Sequence, residues 1–101
     1  MANSMKSAEF LLASRLADAA RGDPDALVDL GIAFSCGTGG VDIDMIEAHK
    51  WFNLAALVGS EQGQALRAEV SEEMSAREVA EAQRQARAWL ADTGMGARRA
   101  A

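Results

Sequence analysis

Two amphipathic helical patterns, joined by a glycine-rich loop, fill the stretch from Asp25 to Gly59. Small residues stand at the positions where the two helices would touch each other. A helical hairpin of this kind cannot bury its apolar face alone, so it needs a neighbouring unit to pack against. The stretch therefore predicts a helical repeat, and it favours a binding function over catalysis.

The composition favours a single helical domain. The chain has 101 residues, half of them hydrophobic and a quarter charged, which suffices for one small core. Alanine is abundant and there is one proline, and both facts favour helix. No segment alternates with the period of a strand. The predicted fold class is all-α.

Helix start and stop signals divide the chain into five helices. Gly22 ends the first helix, Asp23 caps the second at Pro24, and Ser75 with Glu78 has the spacing of a capping box that begins the fifth. The fourth helix is expected over 61–73. The predicted organisation is a flexible lead at 1–7, one helical-repeat domain at 8–93 and a flexible tail at 94–101. Within the domain we expect a capping helix at 8–21, a repeat unit at 24–59 and a degenerate second unit at 60–92.

Two local features predict how the first hairpin packs. Gly31 lies in the middle of a helix, where glycine costs about 1 kcal/mol relative to alanine. We expect it to permit the close approach of another helix backbone. In the loop, Val41 and Ile43 are expected to hold the chain against the core. Asp44 is expected to cap the third helix, with Glu47 at the spacing of a capping box.

The chain contains an internal repetition with a period near 38 residues. The third and fifth helices share the pattern Ala48-x-x-Trp51-Phe52 and Ala86-x-x-Trp89-Leu90, an offset of 38 positions. Gly22 and Gly59 each follow an Ala-Ala pair, at an offset of 37 positions. Two independent offsets of this size indicate a repeated pair of helices.

A longer pattern covers about a third of the chain: Ala26-x-x-x-Leu30-Gly31-x-x-Phe34-x-x-Gly37, Gly40-Val41-x-x-Asp44 and Ala48-x-x-Trp51-Phe52-x-x-Ala55-Ala56-x-x-Gly59. It resembles the Sel-one-like repeat (SLR), a tetratricopeptide-like family of α/α solenoids. The family's first-helix aromatic is usually tyrosine, and Phe34 takes that place here. In the second unit Ala68-Glu69 stands where Leu-Gly is expected, which favours a terminal cap over a full repeat.

The resemblance implies a short right-handed α/α solenoid of about five antiparallel helices, forming a tetratricopeptide-like superhelix. Proteins of this kind typically act as adaptors or scaffolds that hold partner proteins in a concave groove. We therefore expect a non-catalytic protein–protein interaction module whose partner is another protein. The alternative is a self-associating structural protein that forms a homodimer through its terminal helices, because a short solenoid exposes repeat edges at both ends.

Charge and cysteine content limit the other partners. The net charge is −5 and the pI is near 4.7, so the surface repels phosphate backbones and we expect no nucleic-acid partner. Cys36 is the single cysteine, so no intrachain disulfide forms, which suits a reducing compartment. The apolar run at 10–13 is too short for a signal peptide or a membrane span. We expect a cytoplasmic protein with no membrane contact.

No residue set carries catalytic, cofactor or metal chemistry. The loop Gly37-Thr38-Gly39-Gly40 lacks the phosphate-loop pattern, and His49 is the single histidine, so no two-histidine zinc site forms. Asp42 and Asp44 make a weak calcium site, and helix capping accounts better for Asp44. Cys36 with His49 as its base would need a fold that brings them together. We predict that the chain is not an enzyme.

The predicted binding residues follow from the solenoid geometry. The first helix of each pair lines the concave side, which nominates four groove residues: Asp29, Ala33 and Ser35 from the second helix and Arg67 from the fourth. Trp51 is expected in the core. Trp89 occupies the equivalent position on the last helix, and there it is expected to be partly exposed as a contact anchor.

Overall fold

The computed structural model describes residues 2–95, with side chains from residue 7 onward, and this part contains five helices. They are α1 (Ala2–Ala20), α2 (Pro24–Cys36), α3 (Met45–Leu57), α4 (Glu61–Ser71) and α5 (Ala76–Thr93). No strand occurs among the described residues, so the all-α prediction is confirmed. The largest differences from the predicted boundaries are that α1 already begins at Ala2, inside the predicted lead, and that α4 ends at Ser71 instead of Glu73.

Side-chain caps fix the starts of the last four helices. Ser75 and Glu78 form the predicted capping box, because each side chain accepts a hydrogen bond from the other's backbone N–H. Asp44 accepts a bond from the backbone N–H of Glu47 at 3.1 Å, but the Glu47 carboxylate does not bond back. The remaining two caps are Asp23 before α2 and Ser60 before α4. The sequence therefore predicts the cap positions correctly, but it does not predict that the Glu47 side chain leaves the capping box incomplete.

Helix α3 is the centre of the packing. It lies against α2, α4 and α5, while α1 packs on α2, and α2 also touches α4. The Cα radius of gyration is 13.3 Å, close to the ~13 Å of a compact domain of about 100 residues. The five helices therefore share one body with a single main core and a smaller satellite core.

Two glycines allow helices to approach α3 closely. A Cβ on Gly31 of α2 would lie 2.3 Å from the Phe52 ring, so the predicted close approach occurs, with an aromatic ring as the neighbour in place of a backbone. A Cβ on Gly63 of α4 would lie 2.6 Å from the Ala55 Cβ and 3.1 Å from the Phe52 carbonyl oxygen. Gly63 was not singled out by its sequence, because α4 lacks the repeat pattern there.

Met95 joins the core, in contrast to the predicted flexible tail at 94–101. Its side chain is 1% exposed and packs with the main core, and its Cγ lies 3.9 Å from the Cβ position of Gly22. The apolar character of Met95 explains the difference, since burial removes its thioether chain from water. Residues 96–101, also predicted as tail, lie outside the described residues.

The loop before α3 differs from expectation in one position. Ile43 is 63% exposed, so the prediction that it holds the loop to the core is wrong, although its Cγ1 lies against Gly37. Val41 is partly buried. The backbone N–H of Asp44 bonds to the carbonyl oxygen of Phe34 at 2.9 Å, and this bond ties the end of the loop to α2.

Candidate functional site

An open groove runs between the C-terminal half of α2, the start of α3 and α4. Its cavity volume is about 440 Å³. We call it the α2–α4 groove, and its lining residues are Ile32, Ser35, Cys36, Met45, Phe52, Leu66, Glu69, Val70, Glu72 and Glu73. Three helices contribute side chains to it, so its shape depends on how the helices pack.

The floor of the α2–α4 groove is apolar and rests on the satellite core. Phe52 is 1% exposed and Val70 is 7% exposed, and together with Ala48 they form this core. Met45 and Leu66 pack against it and remain partly exposed to the groove. Because the Phe52 ring is wedged against Gly31, the floor is anchored to both α2 and α3.

One rim of the groove carries three carboxylates: Glu69, Glu72 and Glu73 are all exposed, and they stand at or just beyond the C-terminal end of α4. No basic residue occupies the last turn of α4, and none of the ion pairs found among the described residues involves these three glutamates. No Lys or Arg lines the groove. The rim is therefore negatively charged and without a compensating cation.

The opposite wall of the groove carries the only thiol. Cys36 is exposed, and its Sγ lies 3.7 Å from the Ser35 Oγ. His49, the base considered for it, is 2% exposed and does not line the groove. The structure thus does not bring Cys36 and His49 together at the groove.

A second, smaller cleft of about 210 Å³ lies between α1 and α2. We call it the α1–α2 cleft, and Ile32 lines both it and the α2–α4 groove. Within it, an Arg15 nitrogen (Nη1) lies 2.6 Å from an Asp29 carboxylate oxygen, with the side chains 44% and 43% exposed. An ion pair so exposed contributes only about 0–1 kcal/mol.

The four predicted groove residues do not form one surface. Asp29 and Ala33 line the α1–α2 cleft, and Ser35 lines the α2–α4 groove. Arg67 lines neither of them; its Nη1 donates to the Asn53 Oδ1 at 2.6 Å and links α4 to α3. The spacing of apolar and polar residues along α2 identified its exposed side. It could not show which of the two clefts each exposed residue lines.

The two tryptophans contact each other across α3 and α5. Trp51 is 2% exposed, as expected for the core, and its ring meets Trp89 edge to face with centroids 4.8 Å apart. Trp51 Nε1 donates to the Glu47 carboxylate at 2.9 Å, and Lys50 Nζ lies 4.7 Å from the Trp51 ring centroid. Trp89 is partly buried, and its Nε1 is buried with no hydrogen-bond partner. The exposed edge of Trp89 is therefore apolar.

His49 is a buried polar residue that the sequence reasoning did not anticipate. Its Nδ1 has no hydrogen-bond partner, and burial, followed by the nearby Arg67 charge, lowers its pKa below 6.5. The signal available in the sequence was its spacing: His49, Phe52 and Ala56 stand three and seven positions apart, on one helical row.

The described part of the chain gives little support to a metal site or to a membrane-spanning segment. None of its His, Cys, Asp and Glu side chains gather in a group of three or more that could hold a metal ion. Among its helices, none combines the length and the apolar character that crossing a membrane requires. No family model, curated protein or solved structure gives a significant match to this chain.

Proposed function

We propose that this chain is a non-catalytic protein-interaction module of the Sel-one-like type, an adaptor or scaffold built as a short right-handed α/α solenoid and acting in the cytoplasm. The observation that carries the proposal is the α2–α4 groove, an open cavity with an apolar floor. Solvent-exposed apolar depressions of this kind are typical of sites that receive another molecule.

The packing order of the helices supports the repeat. In stacked helical hairpins the equivalent helices of successive units lie side by side. Here α2 touches α4, and α3 touches α5. The contact between Trp51 and Trp89, which stand at the repeat offset of 38 positions, joins equivalent positions of the two units.

A second candidate function is self-association into a homodimer through the terminal helices. The observation that favours it is an apolar patch on α1, where Phe10 is 72% exposed and Leu11 is 54% exposed. Covering such side chains with a second copy would remove them from water. The net charge of −5 on each copy opposes this pairing, most strongly at low salt.

Capture of partners by the immobilised domain tests the proposal. The informative variant is Cys36→Arg, which places a long side chain from an exposed wall position into the α2–α4 groove. The matched control is Gln83→Arg, an equal change of charge on the exposed face of α5. A partner retained by the wild type and the control but lost by Cys36→Arg supports the adaptor.

Light scattering tests the second candidate with the same proteins. A monomeric mass for the wild type excludes the homodimer. A dimeric mass that becomes monomeric in Phe10→Ser/Leu11→Ser, with the helical circular dichroism preserved, would favour self-association through α1. Capture of no partner together with a dimeric wild type would overturn the adaptor proposal.

A further inference from the structure

We infer that the α2–α4 groove receives a basic amphipathic helix of a partner protein, with its apolar side on the groove floor and its Lys or Arg residues on the rim of Glu69, Glu72 and Glu73. This inference rests on the proposed binding function and specifies the chemistry of the partner. Two independent features of the groove lead to it, one concerning charge and one concerning shape.

The charge argument begins with the position of the carboxylates. The C-terminal end of a helix carries a partial negative charge, so anionic side chains there are unfavourable. Glu72 and Glu73, just beyond the end of α4, line the same groove as Glu69, so three like charges stand on one rim and repel one another. No basic side chain of the described chain pairs with them. A cation from another molecule would relieve this repulsion.

The shape argument concerns the floor of the groove. Partly exposed Ile32, Met45 and Leu66 lie beside the buried Phe52 and Val70, so the floor is apolar between the walls formed by α2 and α4. A depression between two helices offers no free strand edge for β-pairing. It suits the apolar stripe of a third helix, whose side chains at i, i+3, i+4 and i+7 point to one side.

The negative charge of the rim discriminates among the molecules that could occupy the α2–α4 groove. A second copy of this chain would bring a net charge of −5 towards an uncompensated acidic rim. A partner helix with Lys or Arg beside its apolar stripe meets the rim with complementary charge, which favours encounter and fixes orientation. The floor supplies the apolar contact and the rim supplies the selection for cationic partners.

Synthetic peptides test the inference directly. The first is a labelled peptide of about 18 residues with Leu at i, i+3, i+4 and i+7 and Lys at flanking positions, long enough to form a helix. The second carries Glu in place of every Lys. The third keeps the composition of the first but scatters the Leu residues around the helix. Fluorescence anisotropy of each labelled peptide gives its affinity for the full chain.

Two charge-matched protein variants complete the test. Glu69→Gln/Glu72→Gln/Glu73→Gln neutralises the rim, and Glu9→Gln/Asp42→Asn/Asp92→Asn removes three exposed charges elsewhere. We expect the Lys peptide to bind the wild type, to lose roughly tenfold or more in affinity with the rim variant, and to lose less than about threefold with the control. Binding should also weaken as salt rises, because salt screens exposed charges. The Glu peptide and the scattered peptide should bind far more weakly.

Several results would overturn the inference. Equal binding of the Lys peptide to both variants would show that the rim does not contribute to binding. Preference for the Glu peptide would show that the groove favours anionic partners over cationic ones. A wild-type chain that binds none of the peptides would also overturn it, as would a dimer that dissociates in Cys36→Arg. The adaptor proposal fails separately, through capture of no partner together with a dimeric wild type, so the two failures remain distinguishable. Circular dichroism of the rim variant should show unchanged helicity, and its melting temperature should stay the same or rise.

Discussion

The Phe52 ring occupies the space that a Cβ on Gly31 would need, with ring atoms 2.3–2.8 Å from that position. Phe52 is 1% exposed, and it also forms part of the floor of the α2–α4 groove. The contact joins α2 to α3 and couples the packing of the core to the shape of the groove.

Gly31→Ala should therefore destabilise the fold even though alanine is the better helix former. Helix propensity alone predicts a gain of about 1 kcal/mol, whereas overpacking of a filled core costs about 1–3 kcal/mol. Urea unfolding measures the balance, and we expect a net loss. The double variant Gly31→Ala/Phe52→Leu should recover part of it, because the smaller side chain makes room. A stabilised Gly31→Ala variant would contradict the observed contact.

Gly63→Ala should separate α3 from α4. The added methyl would lie 2.6 Å from the Ala55 Cβ and 3.2 Å from the Ala56 backbone nitrogen, and backbone atoms cannot rotate away. We expect a loss of about 1–3 kcal/mol in the free energy of unfolding. Gln64→Ala, at an exposed neighbour on the same helix, is the control and should be close to neutral. A Gly63→Ala variant as stable as Gln64→Ala would contradict the observed contact.

His49 should make stability depend on pH below 6.5. Burial, with a smaller contribution from Arg67, lowers the pKa of His49 in the folded state, so the unfolded chain binds the proton more readily. Its contribution is fully present above the unfolded pKa of 6.5 and is lost as the pH falls below that value towards the folded pKa. Urea midpoints should drop more steeply over this range for the wild type than for His49→Gln. Parallel profiles would contradict the prediction.

The carboxylate of Glu81 titrates over a pH range separate from that of His49. A hydrogen bond from Arg84, followed by one from Gln85, lowers the pKa of Glu81 from 4.5 to about 2. Any stability it contributes is present above pH 4.5 and disappears as the pH falls towards that lower value. Because the Glu81 side chain is partly exposed and its partner Arg84 lies at the surface, its effect should be small, so it does not obscure the His49 profile.

Met95→Ala should destabilise the protein strongly for a residue so near the end of the chain. Its side chain is 1% exposed and belongs to the main core, and truncating a buried methionine costs about 2–5 kcal/mol. Thermal unfolding followed by circular dichroism measures the change. Asp92→Ala, at an exposed position nearby, is the control. A midpoint equal to that of the control would indicate that Met95 is not part of the core.

Part of the candidate site could be predicted from the sequence. The glycine at position 31, the core position of Trp51 and the exposed side of α2 all follow from local spacing. The assignment of Asp29 and Ala33 to one cleft and Ser35 to another does not, because it depends on where α1 and α4 lie against α2. The acidic rim was likewise missed, since Glu69, Glu72 and Glu73 are ordinary surface residues until the groove beside them is known.

Local chemistry was enough to define the five helices. The Asp23 and Ser75 caps, the glycine stops and the alanine-rich apolar stripes act within a few residues, so the sequence by itself determined where the last four helices begin. The tertiary structure alone decided the burial of Met95, the partnership of Arg67 with Asn53 and the contact between Trp51 and Trp89. These features depend on residues distant in the chain, and the packing that brings them together leaves no signal in the spacing of any single helix.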